Sequence, residues 1–190
     1  VICSGRDRDS LEEWFGHLPL CLAAEHGAFY KENGTWQEFI HGELWNEEII
    51  GLIRRTIDKT PGSMLEIKRT SLVWHYRNVN SWLGYLREQQ LVDALKDICK
   101  KLNLQIMRGN KIVEIKPIQC TKGAVVRMLL EHHRYDFLLA MGDDTTDEDM
   151  FRAMPEEAIT VKIGPLPSHA RYNLFTLPQT LPFLRALLYS

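Results

Sequence analysis

The chemistry of this chain concentrates in LLAMGDDTTDEDMF, Leu138 to Phe151, where an apolar run breaks at Gly142 and five carboxylates follow within seven residues. Asp143, Asp144, Asp147, Glu148 and Asp149 repel one another at that density unless a cation sits among them, and carboxylate oxygens suit a hard ion such as Mg²⁺. A divalent metal site is the first expectation. The first turn of a helix also accepts such acids, because its free N–H groups and dipole favour negative charge. Position speaks for a site: in open α/β sheets ligands gather beyond the carboxyl ends of strands, where this turn falls.

Three other segments place reactive side chains at strand ends. In VICSGRDR, Ser4, Gly5 and Arg6 offer a hydroxyl, an approachable backbone and a guanidinium, a set that suits a phosphate, although a plain capped turn has the same composition. In AAEHGAF, Glu25 and His26 follow a buried strand and are candidate substrate contacts. Lys122 opens a helical segment in TKGAVVRMLL, where its ammonium offsets nearby acids and phosphate. In EIKRTSLVWHYR, period two puts Glu66 and Lys68 on one strand face and His75 and Arg77 on one face of the next. That polar row reads either as a sugar-recognising surface or as a solvated sheet face laced with cross-strand ion pairs.

The elements that must position these groups follow from periodicity. Val1 to Cys3 reads as the end of a strand, Ser10 to Phe15 as helix and Leu20 to Ala24 as a buried parallel strand, giving β-α-β order. Polar residues and Gly34 then lead to a middle region beginning near Trp36. Asn46 to Thr60 predicts an amphipathic helix capped by Asn46 and stopped at Pro61-Gly62. Strands are expected at Met64 to Lys68 and Leu72 to Tyr76, a long helix at Trp82 to Leu102, and strands at Leu104 to Arg108 and Lys111 to Ile115 around a Gly109-Asn110 turn. After Pro117 the pattern returns to helix (Gly123 to His132), strand (Phe137 to Met141), helix (Glu148 to Met154), strand (Ala158 to Ile163) and helix (Leu181 to Leu188). The expected architecture is a Rossmann-like parallel α/β core of residues 1–35 and 117–190, interrupted by an α+β cap of residues 36–116.

Composition narrows the classes. With 190 residues and 45% hydrophobic content the chain can bury a real core. Its 23 basic and 25 acidic side chains are well mixed, so no basic field for nucleic acid or an anionic membrane arises. No apolar run reaches the roughly 20 residues that span a bilayer, and a cytoplasmic protein is the expectation. Cys3, Cys21, Cys99 and Cys120 form no close pair and read as free thiols.

Together, SGR near the start, Lys122-Gly123 at a helix start and GDDTTDE after an apolar strand resemble the second, third and fourth motifs of the haloacid dehalogenase-like phosphatases. Across the whole chain, SGRDRDSLEEWFG, LAAEHGAFY, LEIKRTSLVWHYR, TKG and GDDTTDEDMF resemble the trehalose-6-phosphate phosphatases. The resemblance implies that Ser4 and Lys122 position a phosphoryl group. It implies that Asp143 binds Mg²⁺, with Asp144 and Asp147 binding or supporting the same ion, and that a sugar phosphate is read by Glu66 and Lys68, with His26 and Arg77 as further contacts; Arg6 and Glu25 join these as substrate contacts from their strand-end positions. A fused or associated trehalose-phosphate synthase domain is the implied partner. The family's first motif, DxDGT, with its Asp nucleophile and Asp acid/base, does not occur in these residues. The expectation is a fragment that begins inside a strand, whose sheet lacks the N-terminal central strand carrying that motif, and which is inactive alone. Two alternatives stay open: a non-catalytic sugar-phosphate-binding or regulatory module, and a phosphatase of another sugar phosphate.

Overall fold

The opening apolar residues form a short strand, β1 (Ile2–Cys3), and α1 (Arg8–Phe15) carries the chain round to lay β2 (Leu22–Ala24) parallel beside it. Asp7 caps α1 by accepting from the Ser10 N–H at 2.9 Å. The structure, a computed structural model, describes residues 1–39 and 46–189, so part of the expected cap, residues 40–45, lies outside the described residues. The chain divides into two units, residues 1–120 and 121–190.

The sheet continues where the sequence reading had only a lead-in. β3 (Phe29–Glu32) and β4 (Thr35–Glu38) form an antiparallel hairpin that extends the order to β1-β2-β3-β4. Asn33 and Gly34 both take positive φ, 50° and 78°, which is what a tight two-residue hairpin turn demands. Trp36, read as the start of the insert, therefore lies in this sheet. Glu12 of α1 ties the hairpin down, accepting from Lys31 Nζ at 2.7 Å and Trp36 Nε1 at 2.8 Å.

The second body of this unit starts at α2 (Glu47–Asp58), capped by Asn46 as expected. It continues through β5 (Met64–Ile67), β6 (Leu72–His75), α3 (Ser81–Lys101), β7 (Leu104–Gly109) and β8 (Ile112–Pro117). The strands form an antiparallel sheet in the order β5-β6-β8-β7. The loop between β7 and β8 is Asn110-Lys111, one residue later than Gly109-Asn110, because Gly109 pairs with Ile112 and Lys111 takes φ 63°. One sheet face buries Leu72, Trp74, Val113 and Ile115 against Ile49, Ile53, Leu91 and Leu95 of the two helices. At about 25 cal/mol per Å² of apolar surface removed from water, this is the dominant stabilising contact of the body. The opposite face carries Glu66, His75 and Glu114, aligned through Val73 in the register.

Residues 121–190 alternate helix and parallel strand. α4 (Lys122–His132) leads to β9 (Leu139–Gly142), α5 (Asp147–Ala153) to β10 (Ile159–Ile163), and a loop to β11 (Tyr172–Leu174), a strand absent from the sequence reading. β9 and β11 flank β10, all parallel, and α6 (Thr180–Leu188) follows. Among the described residues no disulfide forms, and Cys99 and Cys120 are buried. Burial raises their thiol pKa values to about 11 and about 12, which leaves them unreactive near neutral pH. No helix among the described residues is long and apolar enough to cross a membrane.

Candidate active site

In residues 1–120, polar side chains from distant segments converge on one open groove of about 350 Å³, within the range of small-molecule sites. It is lined by Asp7 and Arg8 after β1, Glu25 and Phe29 around the β2–β3 turn, and Glu66, Lys68 and Arg69 at the end of β5. Three expected substrate contacts, Glu25, Glu66 and Lys68, are thus brought together. Glu25 is buried and Glu66 and Lys68 are half-buried, and each has a partner. Glu66 meets His75 Nε2 at 2.7 Å across the strands, and Lys68 Nζ donates to the Gly5 carbonyl at 3.4 Å. Glu25 Oε2 accepts from the Thr70 N–H at 2.9 Å and also from the Thr70 hydroxyl. Bonds from the Ser10 backbone and hydroxyl, aided by the Lys68 charge, outweigh partial burial and hold the Asp7 carboxyl below its usual range.

His26 lies behind the strand-end turn. Its Nε2 faces Glu114 at 3.7 Å, and a Cβ on Gly5 would come within 2.5 Å of that same nitrogen, so the bare Gly5 backbone makes room for the ring. Burial pushes the Glu114 carboxyl up, but the His26 ring, the Lys116 charge and the Ser71 hydroxyl outweigh it and bring it down to about 2. Ser4 ends β1 with its N–H on the Ala23 carbonyl at 2.9 Å, its carbonyl on the His26 N–H and its hydroxyl accepting from the Arg6 N–H at 3.1 Å. Arg6 is exposed, its guanidinium 5.5 Å from the centre of the Trp14 ring, and Arg77 is exposed beyond β6, outside the groove lining.

In residues 121–190 the acidic turn sits at the C-terminal end of β9, as the strand-end reading requires. Asp147 is 3% exposed. Its Oδ1 accepts from Lys122 Nζ at 2.6 Å and its Oδ2 from the Asp144 N–H at 2.8 Å. A Cβ on Gly142 would lie 2.2 Å from the Asp147 Cγ, so only a glycine lets this carboxylate press against the strand end. The Asp144 carboxylate accepts from the Thr145 N–H at 2.6 Å, and Asp143 and Asp144 are both exposed. Lys162 on β10 donates to the Asp143 carbonyl at 2.8 Å and supports the turn from below. Glu148, expected only as one more acid, anchors the loop before β11. It accepts from the Ser168 hydroxyl at 2.8 Å and the His169 N–H at 2.7 Å, and these bonds with the Lys162 charge outweigh burial to lower its pKa.

Among the described residues no three His, Cys, Asp or Glu side chains converge as a ready metal cage. The donor chemistry nevertheless fits a hard cation. Asp143 and Asp144 present exposed oxygens at the strand end, while Asp147 is occupied by Lys122 and holds the turn. Sequence reasoning missed Thr70, Glu114 and Lys162. Thr70 and Lys162 act through contacts far away in sequence, and Glu114 sits in a strand whose alternation marks a face without saying what it faces.

The parallel strand-and-helix elements with an antiparallel, helix-backed sheet define a haloacid dehalogenase-like phosphatase fold. Residues 1–175 match the model of the trehalose-phosphatase family, and the chain belongs to that family. It is 42% identical over 157 residues to the alpha,alpha-trehalose-phosphate synthase [UDP-forming] B of Dictyostelium discoideum, covering 80% of this chain and 20% of that protein. It is 39% identical over 177 residues to a bifunctional trehalose-6-phosphate synthase/phosphatase of Thermoproteus tenax, covering 91% of this chain and 24% of that protein. The trehalose-6-phosphate phosphatase C-terminal domain of C. albicans superposes with a TM-score of 0.84 at 31% identity, over 98% of this chain and 76% of that one. The chain thus spans less than a quarter of the length of these two curated relatives. Phosphatases of this fold use a metal cofactor.

Proposed function

We propose that this chain supplies most of a Mg²⁺-dependent phosphatase domain that converts trehalose 6-phosphate to trehalose and phosphate. The observation that carries the reading is the groove that gathers Glu25, Glu66 and Lys68 from distant segments, in a chain matching the trehalose-phosphatase family over residues 1–175. Carboxylates and an ammonium on rigid strands suit sugar hydroxyls, which both donate and accept. In this reading Glu66 and Lys68 bind the sugar, His26 holds Glu114 in place, and Arg6 and Arg77 are outer contacts. The sheet β5-β6-β8-β7 with α2 and α3 belongs to the expected cap, 36–116, and residues 1–35 and 117–190 are assigned to the core.

Ser4 and Lys122 hold the phosphoryl oxygens, the hydroxyl by donation and the ammonium by charge. Asp147 holds the Lys122 ammonium in place. Asp143, aided by Asp144, would hold Mg²⁺, which when bound would supply charge neutralisation for the phosphoryl group. The phosphoryl group passes to an aspartate outside these residues while a second aspartate there protonates the leaving trehalose oxygen, and water then hydrolyses the phospho-aspartate to release phosphate. A fused or associated trehalose-phosphate synthase domain is the proposed partner. Cysteines that form no disulfide suit the reducing cytoplasm, the proposed compartment.

The test is phosphate release from trehalose 6-phosphate with Mg²⁺, on this chain and on a version extended upstream through a DxDGT segment. Turnover is expected in the extended protein. There, Lys68→Ala should impair trehalose 6-phosphate turnover far more than that of a small phosphate ester. Equal losses on both would remove Lys68 from the sugar site, and binding without turnover in either version would favour a non-catalytic module.

A further inference from the structure

The loop from Lys68 to Ser71 is stitched to the first sheet at several points, and they differ in strength. Arg69 meets Glu38 at 3.1 Å and lies 5.4 Å from the Phe29 ring, but the guanidinium is 57% exposed, so water screens that pair. Lys68 reaches Gly5 at 3.4 Å, a long contact. Thr70 differs. It is 1% exposed and Glu25 5%, and one carboxylate oxygen takes both the Thr70 N–H and the Thr70 hydroxyl. Charge-assisted bonds shielded from water are the strong ones, and a buried carboxylate that loses its donors is costly. Glu25 also sits at φ 47°, a left-handed conformation unfavourable for a residue with a Cβ, held there by its N–H on the Arg6 carbonyl at 2.9 Å. Strain of this kind persists only where the surroundings enforce it.

We propose that Thr70 and Glu25 form a positioning pair that fixes β5 over the groove, so that Glu25 acts on sugar recognition through Thr70 instead of by touching the sugar. Thr70 lies two residues beyond Lys68 and four beyond Glu66, and the Lys68 N–H closes the turn onto the Ser71 carbonyl at 2.8 Å. Displacing Thr70 therefore displaces both proposed sugar-binding side chains. The proposed phosphoryl-binding side chains have other partners, the Ser4 hydroxyl the Arg6 N–H and Lys122 the Asp147 carboxylate. The inference deepens the trehalose 6-phosphate reading and rests on it for its kinetic consequence only.

The experiment uses the full-length protein. Thr70→Val, which keeps shape and loses the hydroxyl, is expected to raise KM for trehalose 6-phosphate at least about tenfold while kcat/KM for p-nitrophenyl phosphate stays within about twofold. Thr70→Ser should restore KM to within about twofold of the parent. Amide hydrogen exchange supplies a readout that needs no substrate: protection across residues 67–72 should fall in Thr70→Val and in Glu25→Gln while α3 stays protected. Unchanged exchange overturns the pair whatever the substrate. Lost protection with equal kinetic losses on both esters, or no rescue by Ser, overturns its role in recognition. A parent protein that does not hydrolyse trehalose 6-phosphate would sink the functional reading, while exchange would still decide the pair.

Discussion

In residues 121–190 the charges of the candidate site come from one strand-end turn and one helix start, with Lys122 meeting Asp147 at 2.6 Å. In residues 1–120 they come from the turn after β1, the turn after β2, the end of β5 and a strand as distant as β8. The first arrangement is a tight, mostly local knot in which one buried ion pair and one backbone N–H settle the geometry. The second is a distributed network of mixed sign, whose buried contacts include Thr70 with Glu25 and His26 with Glu114. A local knot suits a fixed reaction centre, because misplaced charge is costly there. A distributed groove suits recognition, where several modest contacts add up to specificity.

Substitutions in the two regions should separate these behaviours. The largest effect is expected for Asp143→Asn in the extended phosphatase: about a thousandfold loss of kcat with small change in folding, measured by phosphate release at saturating Mg²⁺. Activity within tenfold of the parent would remove Asp143 from the reaction centre. Lys122→Ala strips the partner from a carboxylate that is 3% exposed, and denaturant unfolding should show a loss of about 3–5 kcal/mol. A loss under about 1 kcal/mol would mean the knot is not the stabilising unit described.

The stability of residues 1–120 should respond to pH. The Glu114 carboxyl is brought from an ordinary 4.5 down to about 2, so its contribution, roughly 3 kcal/mol, is fully present above about pH 4.5 and fades as pH falls toward 2. Urea midpoints between pH 5 and 2.5 should therefore fall less steeply in Glu114→Gln than in the parent. Parallel curves would show that Glu114 is not held by His26 and Lys116. The smallest effects come from adding one methyl to each region. Gly142→Ala forces Asp147 aside, and Gly5→Ala presses on His26, each costing about 1–3 kcal/mol in unfolding free energy. Gly142→Ala should also lower kcat by about tenfold, whereas Gly5→Ala should chiefly raise KM; the reverse pattern would invert the comparison.

Much of this was legible before the fold. Gly142 and the acids after it mark a strand-to-helix turn by composition alone, and Asn46 as a cap and the long helix before Leu104 follow from local periodicity. The β3–β4 hairpin was equally available in Asn33-Gly34 flanked by strand residues, but polar neighbours such as Lys31 and Glu32 masked it. Lys31 is buried only because Glu12 of another element pairs with it, a partnership that periodicity cannot show. β11 went unread because three residues within a loop-rich stretch carry too little pattern.

What the amino-acid order alone determined were the elements and the chemical kinds of group at strand ends, since capping, alternation and turn preference act over a few residues. Which of those groups meet was decided by the tertiary structure. Asp147 turns inward to Lys122 and leaves Asp143 facing out, and Glu25 is paired with Thr70, 45 residues away. Burial makes an unpaired charge costly, so the packed chain selects partners by proximity in space, a quantity that spacing along the sequence does not contain.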